Sequence, residues 1–138
     1  MSIQKRCKHF QLPLHKDSRG ELVVMEENVL GYEWKRVFWI HNVPKGEERG
    51  NHAHRTCEEL IFVLSGSFEI ELFDGLETMH LMLDKPHEGV FIPRMVWCRL
   101  YNFSPNAVIL CFATQEYLPE GYIHDYQQFI EEFHLQNC

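Results

Sequence analysis

Short runs of β-branched and aromatic residues, separated by turn residues at close intervals, follow one another along most of the chain. Phe68, Ile70 and Leu72 alternate with Glu69 and Glu71, which is typical of a strand with one buried face. Similar runs predict strands at 21–25, 35–41, 60–64, 79–83, 90–92, 99–103 and 108–114. Many short strands indicate a sandwich, a barrel or a jelly roll, and periodicity alone does not choose among these.

Only the C-terminal segment changes its period. Apolar residues at 126, 129, 130 and 133 follow the spacing of an amphipathic helix, which we expect to cap the end of a sheet. A length of 138 residues is typical of one domain, so we predict a single domain over 1–138.

Charge and cysteine usage limit the classes of partner and compartment. The net charge of -7 argues against a nucleic-acid-binding protein, although residues 35–55 hold five basic residues against two acidic ones. The 5 cysteines form no CxxC pair and are odd in number, which favours a reducing compartment. No apolar run approaches the length of a membrane span, so we expect a cytoplasmic protein without a membrane partner.

The most informative motif is a pair of histidines in an extended segment. His52 and His54 are two residues apart, so on a strand their side chains project from the same face. The spacing Gly46-x5-His52-x-His54-x4-Glu59-x6-Gly66 resembles the first cupin motif. This resemblance implies an all-β protein, a cupin or jelly-roll β-barrel, to which the predicted short C-terminal helix is added.

The second cupin motif is only partly present. Gly89, Pro93 and Asn102 keep its spacing, but Cys98 stands where a cupin metal site has its final histidine. A set of two histidines, Glu59 and Cys98 could bind a borderline metal such as zinc. Alternatively, Cys98 is a small core residue and no metal is held. We prefer the second interpretation and predict neither a metal nor another cofactor.

Without a metal, two neutral imidazoles are suited to moving a proton at a carbon beside a carbonyl group. Basic residues surround the pair in sequence and could bind a pyrophosphate through charge-assisted hydrogen bonds. These features together suggest the isomerisation or epimerisation of a nucleotide-linked sugar.

A series of short motifs resembles the cupin sugar-nucleotide 3,4-ketoisomerases, which act on dTDP-4-keto-6-deoxyglucose. The matching segments lie between about residues 10 and 133 and include Asp17-Ser18-Arg19-Gly20, Glu26-Glu27-Asn28, Lys35-Arg36-Val37, Arg49-Gly50-x-His52-Ala53-His54, Val96-Trp97 and Tyr122-Ile123-x-x-Tyr126. The resemblance implies a metal-independent homodimer with swapped N-terminal strands. It also implies a product that feeds 3-amino-sugar synthesis for surface glycans such as the lipopolysaccharide O-antigen.

The resemblance also assigns residues. His52 and His54 match the two catalytic histidines, while Arg36 and Arg49 are candidates for binding the diphosphate or the developing enolate oxygen. Three further residues are predicted to contact the substrate: Arg55, Trp97 and Arg99.

One departure from the family concerns a hydroxyl group. The family has a functional tyrosine on the strand of Arg36, where this chain has Phe38 and Trp39. His41, Tyr32 or Tyr101 would then have to replace it. Two alternatives to the isomerase stay open: a metal-binding small-molecule cupin using His52, His54 and Glu59, and a non-catalytic nucleotide-sugar-binding cupin.

Overall fold

A computed structural model describes residues 1–26 and 29–137. Glu27 and Asn28 of the matching motif at 26–28, and Cys138, lie outside the described residues. Within those ranges the strands are β1 (His9–Gln11), β2 (Leu14–Asp17), β3 (Gly20–Val23), β4 (Arg36–His41), β5 (Arg49–His54), β6 (Glu59–Ser65), β7 (Phe68–Phe73), β8 (Thr78–Leu83), β9 (Glu88–Ile92), β10 (Trp97–Tyr101), β11 (Val108–Ala113) and β12 (Tyr122–Ile123). The α-helices are α1 (Ile3–Arg6) and α2 (Tyr126–Gln136), and 3-10 turns occur at Val29–Gly31 and Pro119–Gly121.

Ten of these strands form two antiparallel sheets of five. The first has the order β1-β9-β6-β11-β4 and the second has the order β12-β5-β10-β7-β8, while β2 and β3 form a separate hairpin. Consecutive strands thus alternate repeatedly between the sheets, as in a jelly roll, and the predicted all-β cupin fold is confirmed. The strand expected at 99–103 begins earlier, at Trp97, because Trp97 and Cys98 continue the pairing with Phe73 and Leu72.

The main hydrophobic core lies between the two sheets. Ile61 and Val63 of β6 and Ile70 and Leu72 of β7 are all buried in it. The alternate residues of β6 point to the other side of the first sheet, where Phe62 packs edge-on against the N-terminal Phe10 at 5.6 Å between ring centroids. Burial on both faces explains why β6 is a continuous apolar run.

Helix α2 covers the outer face of the second sheet. Asp125 caps its N-terminus by accepting hydrogen bonds from the backbone N–H groups of Gln127 and Gln128. Phe129 and Phe133 pack in one cluster with Ala53 of β5 and Trp97 of β10. In the described part of the chain, no helix has both the length and the apolar character that crossing a membrane requires.

Candidate active site

The two histidines of β5 face the space between the sheets. Ala53, which lies between them in sequence, is fully buried under α2, and strand alternation therefore turns His52 and His54 to the opposite face. Their ring centroids are 5.0 Å apart. The shared face that the sequence spacing predicts is thus the interior of the barrel.

A β-bulge immediately before the histidines sets their register. The pairing of β5 with β10 shifts between Cys98 and Arg99, and Gly50 opposite this shift has a φ of +85°. A Cβ atom on residue 50 would lie 2.8 Å from the carbonyl oxygen of Cys98, so only glycine fits there. The bulge gives a structural reason for the Arg-Gly-x-His sequence.

The first sheet contributes an arginine and a glutamate to the same interior. Ala113 of β11 pairs with Arg36 of β4 on one side and with Glu59 of β6 on the other. Residues opposite each other in a sheet share a face, and the small side chain of Ala113 leaves space between its two neighbours. Glu59 Oε1 lies 3.3 Å from Nε2 of His54, which connects this row to the histidines.

A tyrosine to which the sequence assigned no role completes the group. Tyr122 pairs with His54 across β12 and β5, and its ring centroid is 4.4 Å from that of His54 and 5.1 Å from that of His52. Arg36 donates a hydrogen bond from Nη2 to the Tyr122 hydroxyl oxygen over 3.2 Å. Tyr122 belongs to the matching motif at 122–126, which was the only sequence signal for it.

Burial controls the protonation of the site. The pKa of His52 falls to about 4, first because burial disfavours the imidazolium and then because His54 is close. Burial raises the pKa of Tyr122, and the contact with Arg36 opposes that rise. At neutral pH the site therefore holds a neutral imidazole able to accept a proton and a neutral phenol able to donate one.

Two buried polar atoms of the site lack a hydrogen-bond partner among the described residues: Nε of Arg36 and Nε2 of His54. The His54 nitrogen is close to Glu59, but the direction of this contact does not meet hydrogen-bond geometry. Buried polar groups are normally paired, so these two unpaired atoms mark the site as an unusually polar part of the barrel interior.

The site has one set of groups that could bind a metal. One ligand atom each of His52, His54 and Glu59 lies within 4.8 Å of the others, and Cys98 does not belong to this set in the part of the chain described. Cys98 faces the hydrophobic core, where burial raises its pKa well above the usual value and disfavours the thiolate that metals bind. The fourth position of a metal cupin is therefore not supplied by Cys98.

Trp97, Arg99 and Arg55, which were predicted to bind the substrate, do not lie beside the histidines in this chain. Trp97 is buried under α2, on the face of the second sheet opposite the barrel interior. Arg99 shares that outer face, where it pairs with Glu48 and Glu71. The geometry of this chain therefore does not support their predicted substrate contacts. β10 has apolar residues on both faces, so its sequence does not show which side is the interior.

The side chain of Arg55 is also bonded to other parts of the chain. It forms an ion pair with Glu132 of α2 and donates hydrogen bonds to the backbone carbonyls of Glu120 and Tyr122. This arrangement does not support its predicted contact with the substrate and gives Arg55 a structural role, in which it holds the 120–122 segment beside β5.

Arg49 lies at an edge of the barrel. It lines an open cleft of about 490 Å³ together with the exposed Trp39 and His41 of β4. Glu47 and Glu48 line the same cleft, and Arg49 stays a predicted ligand of the diphosphate.

The residues expected to replace the missing hydroxyl all lie outside the interior. Tyr32 stacks on Phe91 over the outer face of the first sheet, at 5.1 Å between centroids. Tyr101 lies under the guanidinium of Arg99, at 3.9 Å, on the outer face of the second sheet. His41 is exposed on β4.

A jelly-roll barrel with a His-x-His pair turned into its interior defines this protein as a cupin. The chain belongs to the family described as FdtA (WxcM-like, C-terminal), whose model matches residues 5–134.

Individual relatives agree with this assignment. The chain is 36% identical, over 114 residues that make up 82% of each protein, to the TDP-4-oxo-6-deoxy-alpha-D-glucose-3,4-oxoisomerase of Aneurinibacillus thermoaerophilus. A 3,4-ketoisomerase from Helicobacter canadensis is similar in structure, with a TM-score of 0.89 and 32% identity over 93% of this chain and 97% of that one. The ketoisomerase QdtA of Thermoanaerobacterium thermosaccharolyticum, solved in complex with TDP, has a TM-score of 0.91 and 27% identity over 96% and 97% of the two chains.

Proposed function

We propose that this protein is a sugar-nucleotide 3,4-ketoisomerase that moves the keto group of TDP-4-keto-6-deoxyglucose from C4 to C3. The relatives with this named activity support the proposal. The observation that carries it is the juxtaposition of the His52–His54 pair with the Arg36–Tyr122 hydrogen bond inside one barrel.

The chemistry of the substrate matches this arrangement. The C4 ketone acidifies the C3 proton, so a neutral imidazole can remove that proton and form an enediol. We assign the base to His52, because it is more exposed than His54, which is buried against Glu59. Returning the proton to C4 gives the 3-keto isomer, and no redox cofactor is consumed.

The positive charges divide between the two ends of the substrate. Arg36 lies beside the histidines and can stabilise the negative charge that develops on the enolate oxygen. Arg49, at the open cleft, is positioned for the diphosphate.

The activity is tested by incubating EDTA-treated protein with TDP-4-keto-6-deoxyglucose in deuterated buffer and following the sugar by NMR. We expect the 3-keto product to form without added metal, with solvent deuterium at C4 of the product or at C3 of recovered substrate. TDP binding without exchange would favour the non-catalytic cupin. Activity lost on chelation and restored by zinc would favour the metal cupin with His52, His54 and Glu59 as ligands.

We also propose that the protein forms a homodimer through the outer face of β4 and the N-terminal strands. On this edge strand, Trp39 is 62% exposed and lies beside the partly buried Leu110 of β11. The β2–β3 hairpin is exposed almost throughout, and among the described residues its strands pair only with each other. Both the exposed apolar edge of β4 and the unattached β2–β3 hairpin are explained if they pack against a second copy of the chain.

Light scattering after size exclusion tests the dimer. We expect about twice the 16.5 kDa chain mass for the unmodified protein and a monomer for Trp39→Lys. Leu76→Lys, at a residue 77% exposed in the turn between β7 and β8, is the matched control and should remain dimeric. An unmodified protein of 16.5 kDa would contradict the proposal.

A cytoplasmic location and a role in 3-amino-sugar synthesis for surface glycans complete the proposed function. The location is supported by the free cysteines Cys7, Cys57, Cys98 and Cys111 of the described chain. The metabolic role follows from the product, since a 3-keto sugar is the acceptor that an aminotransferase needs.

A further inference from the structure

The strand that holds Arg36 has no hydroxyl group on its interior face. Phe38 follows Arg36 by two residues, shares its face of β4 and lies 5.1 Å from the guanidinium carbon. A 3,4-isomerisation must move one proton between carbons and a second proton between oxygens. His52 can perform the first transfer, and the second needs a group able both to donate and to accept. His54 is buried against Glu59, which leaves this task to another side chain.

We propose that the hydroxyl group of Tyr122 carries the proton from O3 to O4 of the sugar; this inference rests on the proposed function. Tyr122 comes from β12, on the opposite sheet from Phe38, and its ring contacts both histidines. The hydroxyl is thus supplied to the interior from a different part of the chain.

The hydrogen bonding of Tyr122 leaves its proton available. Arg36 has only donor groups, so in the 3.2 Å contact the tyrosine oxygen accepts and its own O–H points elsewhere. In the described part of the chain the Tyr122 hydroxyl has no second hydrogen-bond partner. The ring that carries this O–H lies beside both imidazoles, and its oxygen lies beside Arg36. A sugar ring placed for proton removal would therefore lie close to this hydroxyl.

The reaction balances as two coupled transfers. In the first step, His52 takes the C3 proton, the C3–H electron pair forms the C3–C4 double bond, and O4 accepts the proton of Tyr122. The resulting phenolate is stabilised by the adjacent Arg36 cation. In the second step, the phenolate takes the O3 proton, C3–O3 becomes a carbonyl, and the imidazolium protonates C4.

The other four tyrosines of the chain do not meet these requirements. Tyr126 of α2 lies on the outer face of the second sheet. Tyr32 and Tyr101 lie on the outer faces of the two sheets. Tyr117 is largely exposed and contacts Tyr122 through its ring, at 5.6 Å between centroids. Tyr117 is for this reason a matched control for the loss of a neighbouring hydroxyl.

The test compares Tyr122→Phe with Tyr117→Phe in deuterated buffer, with two readouts from one NMR experiment. Product formation measures the complete isomerisation, and deuterium at C3 of recovered substrate measures proton removal by His52. We expect Tyr122→Phe to lower product formation about 100-fold while C3 exchange stays within about tenfold of the unmodified enzyme. Tyr117→Phe should leave both rates within about threefold.

Three results would contradict the proposed role of Tyr122, and the measured rates distinguish them from one another. Product formation by Tyr122→Phe within about threefold of the unmodified rate would show that the hydroxyl is not needed. An equal loss of exchange and product formation would show a structural role instead. If the unmodified enzyme neither exchanges nor isomerises, the proposed function fails, and the relay fails with it.

Discussion

Replacing His52 with asparagine should lower the turnover of TDP-4-keto-6-deoxyglucose about 1000-fold and abolish deuterium exchange at C3. The reason is that the imidazole is the proposed base, and burial lowers its pKa to about 4, so it is neutral and ready to accept a proton at pH 7. An amide of similar size keeps the contacts but cannot take a proton. The measurement is initial-rate NMR at pH 7 with matched protein concentrations.

The control for this variant is His80→Asn. His80 is an exposed histidine of β8 that contacts Glu71, away from the barrel interior. Its loss should leave turnover within about threefold of the unmodified enzyme. If His52→Asn retained more than about one-tenth of the activity, His54 would be the better candidate for the base.

Replacing Arg36 with methionine should lower kcat between about 100-fold and 1000-fold with little change in KM. Methionine retains most of the aliphatic length but cannot stabilise the enolate oxygen or the Tyr122 phenolate. Arg36 is separated from Glu59 only by Ala113 across the first sheet, and it donates a hydrogen bond to Tyr122. Its charge therefore acts on the reacting part of the sugar. Steady-state kinetics separate the two constants.

Arg99→Met is the matched cation control. Arg99 pairs with Glu48 and Glu71 on the outer face of the second sheet, so its loss should leave kcat and KM within about threefold. A raised KM with unchanged kcat for Arg36→Met would move Arg36 from the enolate to the diphosphate. The pair of variants therefore distinguishes the two roles that the family resemblance left open.

Much of the fold was predictable because strand patterns are local. The alternation at 68–72 and the spacing of 126–133 correctly predicted β7 and α2. Segments such as β1 and β12 were not predicted, because strands of three and two residues are too short for a period to be visible. Their strand conformation depends on pairing with β9 and β5.

The sequence by itself determined that His52 and His54 share one face of a strand, since two residues is the period of an extended chain. It also contained enough motifs to identify the family. Only the tertiary structure decided which side chains meet that face. Cys98 and Trp97 are adjacent and both buried, yet one faces the barrel and the other faces α2.

Tyr122 also shows that the sequence does not reveal which side chains meet the histidines. It reaches the histidines only because β12 pairs with β5, a contact between segments far apart in the chain. Local periodicity reports whether a side chain is buried, but what it is buried against depends on how distant strands pack together.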